Sequence, residues 1–257
     1  MSGAAGGGVS PARWLLIGNS RWHWAAPGAA AQELELWHSA PARGPLGEAT
    51  AQLLAWAAVG SVPAGAGLAP ERRLRLADVP LTAAPPWLGI DRALAGWQAW
   101  RRRGGAVLVA DAGTVVSLSR VDRSGAFAGG RLMAGVALQW RAMAAGTAAL
   151  PPLPPPPGGE EMPEGEAWPL ATAAAMRSGV VRGLAAAVAE AWEAALALEP
   201  DCQLVLTGGD GPLLLEPLRR RGPAAGGGGV LEHRPALALE GLAALVPDQL
   251  SPRSARI

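Results

Sequence analysis

The hydrophobic pattern of this chain runs through a short series of elements and then restarts. Trp14-Leu15-Leu16-Ile17 is a continuous apolar run, as a buried strand requires, and it stops at Gly18-Asn19-Ser20. Arg21 to Ala25 alternates as a returning strand, and Leu34-Glu35-Leu36-Trp37 predicts a third. Glu48 to Val59 has helical spacing, with Leu53, Leu54 and Val59 on one side. Gly89-Ile90-Asp91-Arg92 leads into a helix predicted over 93–103, where Leu94, Trp97 and Trp100 recur three residues apart.

The restart begins at Val107-Leu108-Val109-Ala110, a second buried-strand run, followed by the turn Asp111-Ala112-Gly113-Thr114 and a returning strand over 115–119. Ser124-Gly125 then turns the chain into Ala126 to Leu132. Superimposing Gly18 on Gly113 aligns the flanking strands and sets Leu16 opposite Asp111. The chain therefore reads as α/β, built from two duplicated halves that each open with a β-hairpin around a tight glycine turn. Pro151 to Pro169, dense in proline, glycine and glutamate, predicts a surface loop. A long helix from Thr172 to about Leu198 follows, then a strand at Gln203-Leu204-Val205-Leu206 running into Thr207-Gly208-Gly209. Pro223 to Gly229 reads as another loop and Gly241 to Val246 as a short final helix. The expected organisation is a disordered tail at 1–12, an N-terminal half at 13–103, a C-terminal half at 104–250, and a disordered tail at 251–257.

Composition narrows the chemistry. The chain has 257 residues, enough for one large core or two modest ones, and half of them are hydrophobic. With 22 basic residues against 21 acidic, the net charge of +1 gives no electrostatic footprint for nucleic acid. The charges spaced along Ala171 to Leu198 argue against a membrane span. The single cysteine, Cys202, excludes an intramolecular disulfide framework and fits a reducing cytoplasm. Every basic side chain is arginine, which excludes the Walker A lysine and the protein-kinase strand lysine. His23, His38 and His233 lack zinc-site spacing.

The candidate chemistry gathers at the turns. Backbone N–H groups of a tight glycine turn can converge on phosphate oxygens, and Asn19, Ser20 or Thr114 adds a side-chain donor. Asp111 ends a buried strand, where a carboxylate needs a partner such as a cation beside a triphosphate. Asp91 reads either as a helix cap or as a general base with Arg92 holding an anionic group. Thr172, at a helix start, reads first as a cap.

Taken in order, these segments resemble type III pantothenate kinases, of the actin-like ATPase and sugar kinase superfamily, whose halves are ribonuclease H-like mixed sheets with helices. The resemblance runs from Trp14 to about Val246. It rests on Gly18-Asn19-Ser20, Gly89-Ile90-Asp91-Arg92, Asp111-Ala112-Gly113-Thr114, Gly125 with Phe127-Ala128-Gly129-Gly130, Gly146 to Pro151, Ala171-Thr172 through Ser178-Gly179, and Thr207-Gly208-Gly209. It implies ATP-dependent phosphorylation of pantothenate in the cytoplasm by a homodimer, with neither nucleic acid nor membrane as partner. It implies that Gly18, Asn19, Ser20, Thr114, Gly208 and Gly209 bind ATP with Mg2+, and that Asp111 holds K+ or NH4+. Gly89, Ile90, Asp91, Arg92 and Thr172 would bind pantothenate, with Asp91 as the proton acceptor. Two departures stand out: Leu16 replaces the aspartate with which the family's first turn begins, and Leu132-Met133-Ala134-Gly135 lacks a proline often found before that glycine. Leu16 leaves room for a degenerate kinase fold acting as a binding or regulatory module, or for an actin-like kinase of another small hydroxy acid.

Overall fold

The computed structural model describes residues 12–30, 33–154, 167–222 and 229–248. Most of the expected proline-rich loop, the loop at 223–228 and the segments 1–11 and 251–257 lie outside the described residues. The chain packs as two compact units. One takes the described residues up to Val79, Gly89–Asp91 and those from Ala238 onward. The other takes Pro80–Leu88 and Arg92–Leu237. The helix expected to close the first half thus packs, from Arg92 onward, as part of the second unit.

In the first unit, strands β1 (Trp14–Ile17), β2 (Trp22–Pro27), β3 (Leu34–Ser39) and β4 (Ala55–Ala58) form a sheet of order β3-β2-β1-β4. The first three are antiparallel neighbours, and β4 runs parallel to β1. Register places Leu15, Ile17, Trp22, Trp24 and Trp56 on one face, where they form the buried core with Leu53 and Ala12. Ala12 is therefore packed rather than part of a tail. Helix α5 (Leu237–Leu245) is followed by Val246, whose carbonyl accepts from Trp14 Nε1 at 2.8 Å, and Asp248 pairs with Arg13 at 3.0 Å.

The second unit repeats the plan. Strands β5 (Val107–Ala112), β6 (Val115–Val121), β7 (Phe127–Ala134), β8 (Gln203–Thr207) and β9 (Leu231–His233) form a sheet of order β7-β6-β5-β8-β9. Again the first three are antiparallel neighbours and the crossover strand is parallel. β9 adds a parallel fifth strand. The equivalent place in the first sheet holds only a parallel bridge, Trp56 with Arg73, where Leu74 N–H donates to the Trp56 carbonyl at 2.8 Å. The duplication expected from the glycine turns is thus present over four strands of each sheet.

Helices α2 (Val136–Gly146), α3 (Thr172–Leu198) and α4 (Gly211–Arg221) bury Trp140, Leu184, Val188, Trp192, Leu214 and Leu218 against Leu108, Ala110, Val116, Leu118, Leu204 and Leu206. The opposite face of this sheet carries Val109, Asp111, Ser117, Ser119 and Thr207 by register. Helix α1 (Ile90–Arg103) meets that face through Arg92 and Ser119. Cys202 is buried, and burial pushes its thiol up to about 11, so it stays protonated and unreactive.

Three expectations are corrected. Glu48 to Val59 is not a helix: Gly47–Thr50 is a single 3-10 turn and β4 follows. A short strand covered on both faces reads as an unbroken apolar run, which periodicity cannot separate from a helix. The final helix begins at Leu237, not at Gly241. Thr172 does not cap α3, since Ala171 holds the capping position and Thr172 is the exposed first helical residue.

Candidate active site

In the second unit, Ala112 and Val116 are the last paired residues of the hairpin, so Gly113-Thr114-Val115 forms the turn, with Thr114 exposed at its tip. Asp111 lies one residue back, half-buried, in a cross-strand row between Ser117 and Thr207. Both flanking side chains are buried, at 7% and 3% exposure. Gly208 follows β8 with φ +88°, a left-handed conformation that favours glycine. A Cβ there would collide with Oδ1 of Asp111 and come within 2.5 Å of the Ala112 carbonyl oxygen. The Asp210 N–H donates to that same carbonyl at 2.8 Å, which ties the third glycine segment to the end of β5. From the other side, Gly135 N–H donates to the Thr114 carbonyl at 3.0 Å, and a Cβ on Gly135 would lie 2.7 Å from that oxygen.

The first unit builds its counterpart by the same means. Gly18 to Arg21 forms the turn between the paired residues Ile17 and Trp22, with Gly18 N–H donating to the Arg21 carbonyl at 3.0 Å. Asn19 and Ser20 are exposed at the tip. Val59 and Gly60 both donate to the Ile17 carbonyl, at 2.9 and 3.2 Å. Gly60 backs the turn so closely that a Cβ would lie 2.5 Å from the Gly18 carbonyl oxygen. Ile17 therefore stands where Ala112 stands, and Leu16 stands where Asp111 stands. The row through Leu16 reads Ala57, Leu16, His23, His38, against Thr207, Asp111, Ser117, Leu132 in the second unit. Gly60 escaped sequence reasoning, and Gly135 entered it only through the resemblance, with no packing role assigned. Their one signal is position, just past the strand ends that meet the two turns.

The Gly89-Ile90-Asp91-Arg92 motif has a physical reason at each position. Asp91 is the second residue of α1, not its cap, in a first turn whose N–H groups favour negative charge. Its Oδ1 folds back over Gly89, where a Cβ would come within 2.6 Å, so glycine there gives the carboxylate its place. Ile90 is buried and anchors the turn. Within the second unit, Arg92 donates from Nε to Ser119 Oγ at 3.0 Å and from Nη2 to the Leu118 carbonyl at 3.3 Å, and its guanidinium lies 5.7 Å from the centre of the Phe127 ring. Gly130 makes room for it, since a Cβ would sit 2.5 Å from Nη2. These bonds fix the direction of the guanidinium.

Other motif residues serve the scaffold. Thr147 Oγ1 donates to the Met143 carbonyl at 2.9 Å and so closes α2, and Ser178 Oγ accepts from Arg182 Nε at 3.1 Å. Thr172 and Gly209 are exposed. The donors around Asp111 are oxygens, which suit hard cations such as Mg2+ or K+ rather than thiophilic metals. Among the described residues no three His, Cys, Asp or Glu side chains gather as a metal cluster.

Residues 72–194 match the family model described as type III pantothenate kinase. A type III pantothenate kinase of Synechococcus elongatus is 36% identical over 216 residues, covering 78% of this chain and 85% of the relative. That of Thermosynechococcus vestitus is 39% identical over 209 residues, covering 80% of each. The chain belongs to the type III pantothenate kinase family. The stretch matched by the family model takes in Gly89 to Arg92, Asp111 to Thr114, Gly130 and Thr172, and the relatives extend the likeness over most of the chain. Among solved structures, a Baf family transcriptional activator from Campylobacter jejuni shares the fold, with a TM-score of 0.53 at 16% identity over 91% of this chain and 96% of that one. The chain is an α/β protein of mixed sheets with helices.

Proposed function

We propose that this kinase transfers the γ-phosphoryl group of ATP to the primary hydroxyl of pantothenate, the first step of coenzyme A synthesis, with Asp91 as proton acceptor. As the hydroxyl oxygen bonds to phosphorus, its proton passes to the Asp91 carboxylate and ADP departs with the electrons of the broken P–O bond. Gly89, Ile90 and Thr172 complete the pantothenate site, and Arg92 faces its carboxylate. The first turn, Gly18 to Ser20, with Thr114, Gly208 and Gly209, holds the triphosphate. Magnesium bound with ATP neutralises charge as it develops. Such catalysis works by positioning and charge compensation.

The observation that carries the assignment of Asp91 is the missing Cβ beneath its carboxylate at Gly89, together with the bonds that fix Arg92 beside it in sequence. Asp111, between two hydroxyl-bearing strand residues, supports K+ or NH4+ as an additional ligand there. The exposed Leu132, Trp168 and Leu170 of the second unit support a homodimer. Use of ATP and a reduced Cys202 support the cytoplasm as its compartment, and among the described residues no helix is long and apolar enough to cross a membrane.

The test is phosphopantothenate formation with ATP and Mg2+, with and without K+. Asp91→Asn should lower kcat by about 100-fold or more, the usual range for loss of a general base, with an unchanged circular dichroism spectrum. Turnover near that of the unaltered chain would return Asp91 to a purely structural role.

A further inference from the structure

The row through Leu16 continues into a pair of imidazoles. His23 on β2 and His38 on β3 are direct register partners, and their Nδ1 atoms lie 3.0 Å apart. The rings are nearly perpendicular, at 77°, with centroids 4.7 Å apart. Two nitrogens at that separation, each about 2.1 Å from a common metal, would subtend about 90° at it. A tetrahedral ion would need them about 3.4 Å apart at the same bond length. Adjacent positions near 90° belong to tetragonal Cu2+ or Ni2+.

We infer that His23 and His38 form a two-imidazole site for a borderline transition-metal dication, Cu2+ in first place and Ni2+ next, with its remaining positions open to water or anionic oxygen. The geometry alone also allows a hydrogen bond between two neutral rings, and metal binding separates the two readings. Burial, then the neighbouring charges of His38 and Arg21, hold His23 down to about 4, and burial and Arg21 lower His38. Arg21 opposes any cation at this place, so the site favours an ion that arrives with, or recruits, an anionic oxygen. The site abuts the first glycine turn: His23 Nε2 lies 3.5 Å from where a Cβ on Gly18 would be.

The experiment is a titration of the untagged full chain with Cu2+ at pH 7.5, followed by calorimetry and electron paramagnetic resonance. One equivalent should bind with hyperfine splitting from two nitrogens, and the exposed His38→Asn variant should bind at least about 30-fold more weakly, a loss expected for one imidazole ligand. His23→Gln should do the same, and Zn2+ should bind more weakly than Cu2+. Equal Cu2+ affinity in the unaltered chain and His38→Asn, or no two-nitrogen signal, would overturn the assignment and leave a hydrogen-bonded pair. Because neither ATP nor pantothenate enters this readout, its failure leaves the kinase reading untouched.

Discussion

Replacing Gly208 by alanine tests whether the third glycine segment is held against Asp111 by geometry rather than by chance. Gly208 has φ +88°, where an L-residue costs about 1–2 kcal/mol. The new methyl would also overlap Oδ1 of Asp111 and lie within 2.5 Å of the Ala112 carbonyl oxygen. Forced overlap in a packed region costs about 1–3 kcal/mol more. The backbone carbonyl cannot swing away, because it is paired with the Asp210 N–H. The sum, about 2–5 kcal/mol, corresponds to a fall in Tm of roughly 4–20 °C for a chain of this size. The matched control is Gly179→Ala on α3, where a Cβ meets nothing within 4 Å. There the same methyl removes backbone entropy from the unfolded chain and should raise stability by about 0.5–1 kcal/mol. Thermal denaturation of both variants by circular dichroism gives the answer. If Gly208→Ala melts within about 2 °C of the unaltered protein, the close approach of this backbone to Asp111 is wrong.

Two further substitutions probe the other turns. Gly89→Ala should cost little stability, since Gly89 has an ordinary φ and only the Asp91 carboxylate must move, yet kcat should fall at least about 10-fold through misplacement of the base; unchanged kcat would detach Gly89 from that role. His23 makes the metal-free protein acid-sensitive. Its folded value of about 4 lies below the ordinary 6.5, so the unfolded chain takes up the proton first as pH falls. Stability should therefore be unaffected by this group above pH 6.5 and decline between 6.5 and 4, by roughly 3 kcal/mol in all. His38, shifted in the same direction, adds to the decline, and urea denaturation of His23→Gln at pH 7 and 4.5 should show a visibly shallower loss than the unaltered chain.

The strands of both hairpins are legible because four-residue apolar runs ending in glycine admit few other structures, and the repeat of Gly18 at Gly113 gives the sheet register with no homologue needed. β4 is not legible as a strand. Ala55-Trp56-Ala57-Ala58 carries no alternation, since it pairs with β1 under cover on both faces, and three of its residues are fully buried. α4 hides for a different reason. Pro212 in its first turn and Pro217 within it look like helix breakers, although a proline in the first turn forfeits no intrahelical bond. α2 is Ala-rich with a weak amphipathic contrast, and only Val136 and Trp140 are buried. Among the candidate residues, Asp91, Arg92 and Asp111 announce themselves as charges in apolar surroundings. Gly60, Gly130 and Gly135 do not, because each is required by backbone or side chains from strands distant in sequence, a demand no local pattern records.

The two halves show what duplication preserves and what it lets go. Both sheets keep the same strand order, and both keep a carbonyl at the end of the first strand, Ile17 or Ala112, tied to the segment after the parallel strand. That frame depends on backbone bonds and on glycines at Gly60 and Gly208, so it survives changes in side-chain chemistry. The polar row does not survive equally. Beside a triphosphate, a carboxylate is useful only with a cation between them, because without one it repels the phosphates. At Asp111 the flanking Ser117 and Thr207 would supply hydroxyl oxygens for such a cation. At Leu16 the neighbours are Ala57 and a neutral His23, so no oxygen-rich place remains in that row, and an aspartate there would be buried against apolar carbon. Leu16 is therefore consistent with its own row. Under the proposed assignment, the first turn would offer phosphate the positive charge of Arg21, and the oxygens suited to a cation would be those of the row through Asp111.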